Sequence, residues 1–216
     1  MYSRAELTTA SHEAAVRGEA HVTHSGRPGL LERDDCILLV IDFQDPFLRK
    51  LGEERAAALV EHGRFVLETA LGWDVPILVT VEAPDSNGMT TAPLAALLGD
   101  RRQWDKRVFG LCGQSDLLDA MLAQPRRTAV LIGMETDVCI LHSAVGLLAH
   151  GFRSVIVRDA VSSPEDTHAH GLARAEVLGV ELIHAKGLFY EWNRSLQGCI
   201  ELSNVRKIAP PLGRLL

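Results

Sequence analysis

The stretch that decides the fold reads Val130-Leu-Ile-Gly-Met-Glu-Thr-Asp-Val-Cys139-Ile-Leu-His-Ser-Ala. Its first three residues are apolar and predict a buried strand that ends at Gly133. Apolar residues then recur at helical spacing, so the strand turns sharply into a helix that Thr136 or Asp137 can cap. Cys139 is therefore predicted to lie in the first turn of that helix.

The start of a helix is a favourable place for a reactive thiol. Unpaired N–H groups and the positive end of the helix dipole stabilise a thiolate there. We therefore expect the pKa of Cys139 to lie below the value of about 8.5 that a free cysteine has. An inert core cysteine gives the same local pattern, because cysteine is among the most buried residue types.

Two further segments supply an acid and a cation. A second apolar run, from Cys36 onward, predicts a strand that ends at Asp42, and a short extended segment ends at Lys106. Taken singly, Asp42 is more typical of a cap or turn residue than of a catalytic acid, and Lys106 is more typical of a solvated surface charge. Together with Cys139 they offer a base, a cation and a nucleophile, each near the end of a predicted strand.

Alternating elements predict the architecture. We expect strands at 36–42, 76–81, 128–132, 154–158 and 180–184, and helices at 53–71, 115–123, 137–150 and 165–178. With the short extended segment at Lys106, this alternation predicts an α/β fold, a three-layer α/β/α sandwich whose mostly parallel, six-stranded sheet is Rossmann-like. Ligands of such sheets bind beyond the carboxyl ends of the strands, where Asp42 and Cys139 are expected.

Composition limits the classes of function. A net charge of −6 without a basic cluster argues against binding to nucleic acid. No apolar run approaches the ~20 residues that span a bilayer, and the first residues lack the apolar core of a signal peptide. The four cysteines are scattered without CxxC pairs, which favours a cytoplasmic location over a disulfide or zinc framework. No GxGxxG follows the first strand, so a dinucleotide site is not indicated.

Four spaced motifs make the chain recognisable: Asp42-x-Gln44-x-x-Phe47, Lys106-x-x-Phe109, Gly133-Met-Glu-Thr-Asp-Val-Cys139 and Gly151-Phe-x-x-x-Val-x-x-Asp159-Ala160-x-Ser162-Ser163. In this order they resemble the isochorismatase-like superfamily of cysteine hydrolases, which includes nicotinamidases, N-carbamoylsarcosine amidases and ureidoacrylate amidases. The resemblance covers roughly residues 34 to 192. The segment from Lys186 to Glu191 is similar to the branch named for its isochorismatase domain.

The resemblance implies the catalytic residues and the reaction. It assigns a triad of Asp42, Lys106 and Cys139, and an oxyanion hole made by the backbone N–H groups of Glu135 and Cys139. It also implies a non-proline cis peptide bond between Met134 and Glu135. The implied reaction is hydrolysis of a C–N bond in a small amide, carbamoyl or ureide compound through a thioester.

Three more residues are candidate substrate contacts. Phe47 follows Asp42 closely and Trp104 precedes Lys106, so the resemblance makes both plausible pocket walls, although aromatic residues are also typical of a core. Gln44 is a substrate-binding candidate that can also orient Asp42. Asp159, Ser162 and Ser163 are instead expected to be turn residues after a strand.

No metal and no cofactor are predicted. Nicotinamidases of the superfamily commonly bind a metal through an Asp and histidines that lie between the catalytic acid and the lysine. Here residues 43–105 contain one histidine, His62, placed in the middle of a helix. His168 and His170 lie outside that interval and face different sides of a helix.

The partners are expected to be a small-molecule substrate and further copies of the chain, in a homodimer or homotetramer. We divide the chain into an N-terminal arm (1–33), a hydrolase domain (34–192) and a C-terminal extension (193–216). Two alternatives stay open. One is an ether hydrolase of the isochorismatase type, which Cys139 disfavours because true isochorismatases do not use a cysteine at this position. The other is a catalytically idle, oligomeric interaction protein.

Overall fold

A single parallel sheet forms the centre of the computed structural model, which describes residues 29–208. Its strand order is β3-β2-β1-β4-β5-β6, and each neighbouring pair runs parallel. The predicted six-stranded α/β sandwich is confirmed. The strands are β1 (Cys36–Ile41), β2 (Ile77–Glu82), β3 (Gln103–Lys106), β4 (Thr128–Met134), β5 (Arg153–Ser162) and β6 (Glu181–Ile183).

Helices cover both faces of this sheet. Short 3-10 turns lie at Arg33–Asp35, Arg49–Leu51 and Leu111–Gly113, and a π-helical turn at Thr136–Ile140. The α-helices are α1 (Asp45–Leu48), α2 (Glu53–Gly72), α3 (Pro84–Asn87), α4 (Ala92–Leu98), α5 (Ser115–Leu122), α6 (Leu141–Ala149), α7 (Thr167–Val177), α8 (Ala185–Asn193) and α9 (Leu196–Val205).

Strand β1 is buried on both faces because its side chains alternate between two separate cores. Leu38 and Val40 join the core on the side of α2, α4 and α8. Leu39 and Ile41 join the core on the side of α5, α6 and α7. A strand of a parallel sheet that is covered on both faces is expected to be a continuous apolar run, as this one is.

The strand order reverses between β1 and β4. From β1 the chain moves outward to β2 and β3, and then returns to the other side of β1 to form β4, β5 and β6. The crevice beyond the carboxyl ends of β1 and β4 is where ligands bind in sheets of this kind. Asp42 and the segment 135–139 leave these two strands at that point.

Strand β5 is longer than the sequence predicts. Its pairing with β4 shifts register between Leu131 and Gly133, and the strand continues to Ser162. The prediction of Asp159 and Ser162 as turn residues is therefore wrong, because both lie within the strand. Asp159 instead accepts a hydrogen bond from the N–H of Ala185 at the start of α8.

Part of the predicted C-terminal extension packs on the same core. Helix α9 places Leu202 in a buried position, next to Gly72 at the end of α2. Most of the predicted N-terminal arm (1–28) and the last residues (209–216) lie outside the described residues. Within 29–208, no helix has the length and apolar character that crossing a bilayer requires.

Gly133 allows β4 to approach β1 at the site of the strand reversal. Its φ is +130°, in the region that favours glycine, and a Cβ there would collide with the carbonyl oxygen of Ile41. The obstacle is backbone in the middle of the sheet, which cannot move aside as a flexible side chain can. Position 133 must therefore be occupied by glycine.

We expect Gly133→Ala to lower the free energy of unfolding by at least about 3 kcal/mol, since it combines a strained φ with overpacking against backbone. Gly151→Ala is the matched control, because Gly151 also has a positive φ, +81°, but a Cβ there meets no atom within 4 Å. The control should lose only about 1–2 kcal/mol. Urea unfolding of both variants measures the difference, and equal losses would contradict the packing argument.

Candidate active site

The structure brings the three predicted catalytic side chains together around the Lys106 ammonium. Lys106 Nζ lies 3.0 Å from Asp42 Oδ2 and 3.5 Å from Cys139 Sγ. It also donates a hydrogen bond of 2.7 Å to the carbonyl oxygen of Val108. Lys106 is fully buried, so its charge is balanced by these protein groups and not by water.

Asp42 leaves the end of β1 in an unusual conformation. Its φ is +52°, which is uncommon for a residue other than glycine and is found where the surroundings enforce it, often at active sites. Thr80 Oγ1 donates to Oδ1 at 2.8 Å. Oδ2 faces Lys106 but makes no aligned hydrogen bond within the described chain. Burial raises the pKa of the Asp42 carboxyl above its ordinary value, although the nearby charge of Lys106 lowers it, so this carboxyl takes up a proton more readily than a free one.

A fourth residue, Glu82, completes the cluster. It ends β2 and is the register partner of Lys106 in β3. Its Oε2 lies 3.2 Å from Lys106 Nζ and 3.3 Å from Cys139 Sγ. The sequence analysis missed it, although an acidic residue directly after the apolar run 77–81 was the available signal.

The charges in this cluster set the protonation state of the thiol. Burial and the carboxylate of Asp42 raise the pKa of Cys139, and Glu82 adds to this, whereas Lys106 lowers it and does not compensate. The predicted low pKa is therefore wrong for the resting site. Cys139 is a thiol that donates its proton toward Glu82 Oε2.

Lys106 remains charged in this setting. Burial by itself would lower its pKa, but the negative charges of Asp42, Cys139 and Glu82 raise it above the ordinary value. A permanent cation at 3.5 Å from Sγ can stabilise the thiolate once the proton has moved. The site thus holds a neutral nucleophile, a cation and two proton acceptors.

The turn that carries Cys139 differs from the predicted capped helix. Thr136 and Asp137 lie within the π-helical turn and do not cap it; the cap position is Glu135. Thr136 Oγ1 pairs with His168 Nδ1 at 2.9 Å, and Asp137 Oδ1 accepts from Ser163 Oγ at 2.5 Å. These oxygens connect the turn to α7 and to Ser163, the residue directly after β5, which holds the turn in place.

The peptide bond between Met134 and Glu135 is cis, as the resemblance implied. Among residues 29–208, no acceptor takes a hydrogen bond from the Glu135 N–H. The Glu135 side chain points elsewhere, with Oε1 accepting from Lys50 Nζ at 2.9 Å. The backbone of Glu135 is therefore available while its carboxylate is occupied.

The three predicted substrate contacts differ in their surroundings. Gln44 is fully buried: its Oε1 accepts from the Glu82 N–H, and its Nε2 donates to the carbonyl oxygens of Glu82 and Gly88. With its polar atoms used inside the protein, a positioning role for Gln44 is favoured over contact with substrate. Phe47 and Trp104 are both half-buried; the ammonium of Lys50 lies 4.9 Å from the Phe47 ring centroid.

Trp104 shares a face of β3 with Lys106, because residues two apart on a strand point the same way. The Arg102 guanidinium stacks 3.3 Å from its ring centroid. Its ring contacts the core that includes Cys139. Roles for Phe47 and Trp104 in binding substrate stay predictions.

One group of possible metal ligands occurs in the described part of the chain. Ligand atoms of Asp42, Glu82 and Cys139 lie within 4.8 Å of one another. The Lys106 ammonium, however, lies among these same three atoms at 3.0–3.5 Å. A metal ion would have to displace a buried cation, so the donor set does not fit a metal while Lys106 holds this position.

Known proteins resemble this chain in sequence and in fold. "Isochorismatase domain-containing protein 2" of Xenopus laevis is 25% identical over 166 residues, which is 76% of this chain and 79% of that protein. The octameric YcaC hydrolase of Escherichia coli superimposes with a TM-score of 0.75 at 20% identity, covering 84% of this chain and 93% of that one. The pyrazinamidase/nicotinamidase of Streptococcus mutans gives 0.59 at 22% identity, covering 68% and 99%.

The two solved structures are less than 25% identical to this chain, so the comparison with them shows the fold alone. The family is shown by a separate match, in which residues 36–186 fit the model of the Isochorismatase domain. This span contains Asp42, Glu82, Lys106 and Cys139, and it agrees with the resemblance inferred from the motifs. The protein belongs to the isochorismatase domain family.

Proposed function

We propose that this protein is a cysteine-dependent hydrolase that cleaves a C–N bond of a small amide, carbamoyl or ureide compound through a thioester intermediate. The observation that carries the proposal is the Lys106 ammonium, which lies 3.0 Å from Asp42 Oδ2 and 3.5 Å from Cys139 Sγ. Nucleophile, base and cation are thus within reach of one another, as covalent catalysis requires.

The first half-reaction forms the thioester. Asp42 takes up the thiol proton while Lys106 stabilises the thiolate that attacks the carbonyl carbon. The backbone N–H groups of Glu135 and Cys139 stabilise the negative oxygen of the tetrahedral intermediate. Asp42 then gives its proton to the departing nitrogen, which leaves as an amine or ammonia.

The second half-reaction releases the acid. A carboxylate beside Cys139 accepts a proton from water, and the resulting hydroxide attacks the thioester carbonyl. The Cys139 thiolate leaves and regains a proton. The site returns to its starting state, with a neutral thiol beside an ionised carboxylate.

The desolvation free energy of this cluster of charges favours an active enzyme over an idle interaction protein. Burying Lys106 and Asp42 beside a cysteine contributes little to stability, because desolvation offsets much of the attraction between the charges. Titratable groups gathered in this way are more typical of functional sites than of structural ones. A cysteine at position 139 favours C–N hydrolysis over hydrolysis of an ether.

We extend the proposal to assembly and location. We propose a homodimer or homotetramer. The YcaC hydrolase, which is octameric, supports self-association as such. Apolar side chains on α9, those of Leu196, Ile200 and Val205, are exposed in the single chain. A cytoplasmic location is supported by the four cysteines, all of which have free thiols.

We expect Cys139→Ala to abolish release of ammonia, because the nucleophile is gone. Asp42→Asn should lower the rate by about 10²–10⁴-fold, the usual contribution of a general acid–base. Ammonia release from a panel of primary amides, carbamoyl compounds and ureides measures both effects. Circular dichroism and thermal unfolding serve as the folding control, and wild-type turnover by folded Cys139→Ala would disprove the role of Cys139.

Alkylation of Cys139 should report a raised pKa. Because burial and the two carboxylates keep the thiol protonated, the thiolate fraction should grow about tenfold per pH unit between pH 7 and 9. Peptide mapping after brief iodoacetamide treatment measures this rate at Cys139 alone. A rate that is already constant at pH 7 would show a low-pKa thiolate, contrary to the geometry.

Chelation should leave the activity intact. Lys106 supplies the positive charge at the position a metal would take, so treatment with EDTA should not change the hydrolysis rate. Loss of activity in EDTA that zinc or iron restores would contradict this expectation. Metal analysis of the purified protein gives an independent measure.

A further inference from the structure

Two carboxylates flank Cys139, and they differ in their access to water. The side chain of Asp42 is 1% exposed and that of Glu82 is 23% exposed. Water can therefore reach Glu82 from solvent, while Asp42 is closed off from solvent and pairs with the equally buried Lys106. A residue that must handle a water molecule in every catalytic cycle is better placed at the position of Glu82.

Side-chain hydrogen bonds from two residues hold the backbone of Glu82 in place. Gln44 binds both its N–H and its carbonyl oxygen, at 2.7 and 3.0 Å, and Asn87 Nδ2 donates to the same carbonyl at 2.9 Å. The next residue, Ala83, has a φ of +44°, so the chain turns away directly after Glu82. These contacts fix the position of the Glu82 backbone, and the contact with Lys106 fixes the position of its carboxylate.

We propose that Glu82 is a fourth catalytic residue, the general base that activates the water which hydrolyses the thioester. This proposal rests on the proposed function. The geometry that supports it is the pair of distances from Oε2, 3.3 Å to Cys139 Sγ and 3.2 Å to Lys106 Nζ. Nothing in the motif resemblance pointed to this residue.

The state of the site after acylation explains the role. In the resting enzyme Cys139 keeps its proton and donates it in a hydrogen bond to Glu82 Oε2. Once Cys139 is acylated that proton has left with the amine, so Oε2 has lost its donor and faces the acyl group. A water molecule that enters from solvent can replace the thiol as donor, which places it next to the thioester carbonyl.

The step is balanced in atoms and charge. Glu82 accepts one proton from water, and the hydroxide forms a bond to the thioester carbon. The tetrahedral intermediate collapses, the C–S bond breaks, and the Cys139 thiolate departs beside Lys106. Glu82 then returns its proton across the 3.3 Å to Sγ, which restores the resting hydrogen bond.

The variant Glu82→Gln tests this role, because it keeps the size of the side chain and its ability to accept from Lys106 but removes the base. The probe is p-nitrophenyl acetate, which acylates cysteine without needing a protonated leaving group. We expect a burst of p-nitrophenolate equal to the enzyme concentration, followed by a steady rate about 10²-fold below that of the wild type. Mass spectrometry should find an acetyl group that persists on Cys139.

Matched variants control for the loss of charge and for folding. Asp85→Asn removes a carboxylate three residues away that pairs with Arg107 at the surface, and it should deacylate at the wild-type rate. Glu82→Asp keeps a base but places it farther from Sγ, so it should recover part of the deacylation rate. Cys139→Ala should give no burst.

The outcomes separate the two proposals. Deacylation of Glu82→Gln at the wild-type rate, or a burst that is lost together with turnover, would overturn the role of Glu82 in deacylation and leave Cys139 as the nucleophile. Absence of acetyl-Cys139 in both the wild type and folded Glu82→Gln would overturn the proposed function itself.

A second readout reports the contact independently of turnover. Removing a negative charge 3.3 Å from Sγ should favour the thiolate, so iodoacetamide should alkylate Cys139 of Glu82→Gln about tenfold faster at pH 7. An unchanged alkylation rate would show that Glu82 does not contact the thiol, and the proposal would fail.

Discussion

The Lys106 ammonium is the constraint on which the site depends. It is sealed from water, so its charge has to be matched by groups of the protein itself. Four neighbouring strands of the sheet meet this demand, since β3 carries Lys106, β2 carries Glu82, β1 leads to Asp42 and β4 leads to Cys139. With two carboxylates and one ammonium the cluster is already negative before the thiol ionises. A further negative charge on sulfur is therefore unfavourable unless a carboxylate of the cluster takes up the thiol proton at the same time.

This arrangement separates the tasks of the two acids by depth. Asp42 is inaccessible to solvent and is strained into a left-handed conformation at the end of β1. Glu82 lies nearer the surface at the end of β2 and contacts the same sulfur. A buried acid can pass a proton between sulfur and nitrogen without losing it to bulk water. An accessible acid can take its proton from a water molecule, and the proposed mechanism needs one acid of each kind for its two half-reactions.

Much of the fold could be predicted because apolar runs and helical spacing mark elements directly in the chain. Asp42, Lys106 and Cys139 could be named as candidate catalytic residues because each lies within a recognisable motif. Glu82 was missed because its meaning depends on β2 lying between β1 and β3, and strand order is not visible in one sequence. The caps at Thr136 and Asp137 were wrong for a similar reason: their partners, His168 and Ser163, are distant in the chain.

The amide of Gln44 links two parts of the molecule that are usually considered apart. Its Oε1 and its Nε2 both bind the backbone of Glu82, and Nε2 also donates to the carbonyl oxygen of Gly88 in the loop that follows β2. That loop continues to Thr90, which forms a bridge with Gln44. A mutation that changes the conformation of this loop would thus also move the backbone that carries Glu82. The sequence of the loop and the position of the Glu82 carboxylate are therefore expected to evolve together.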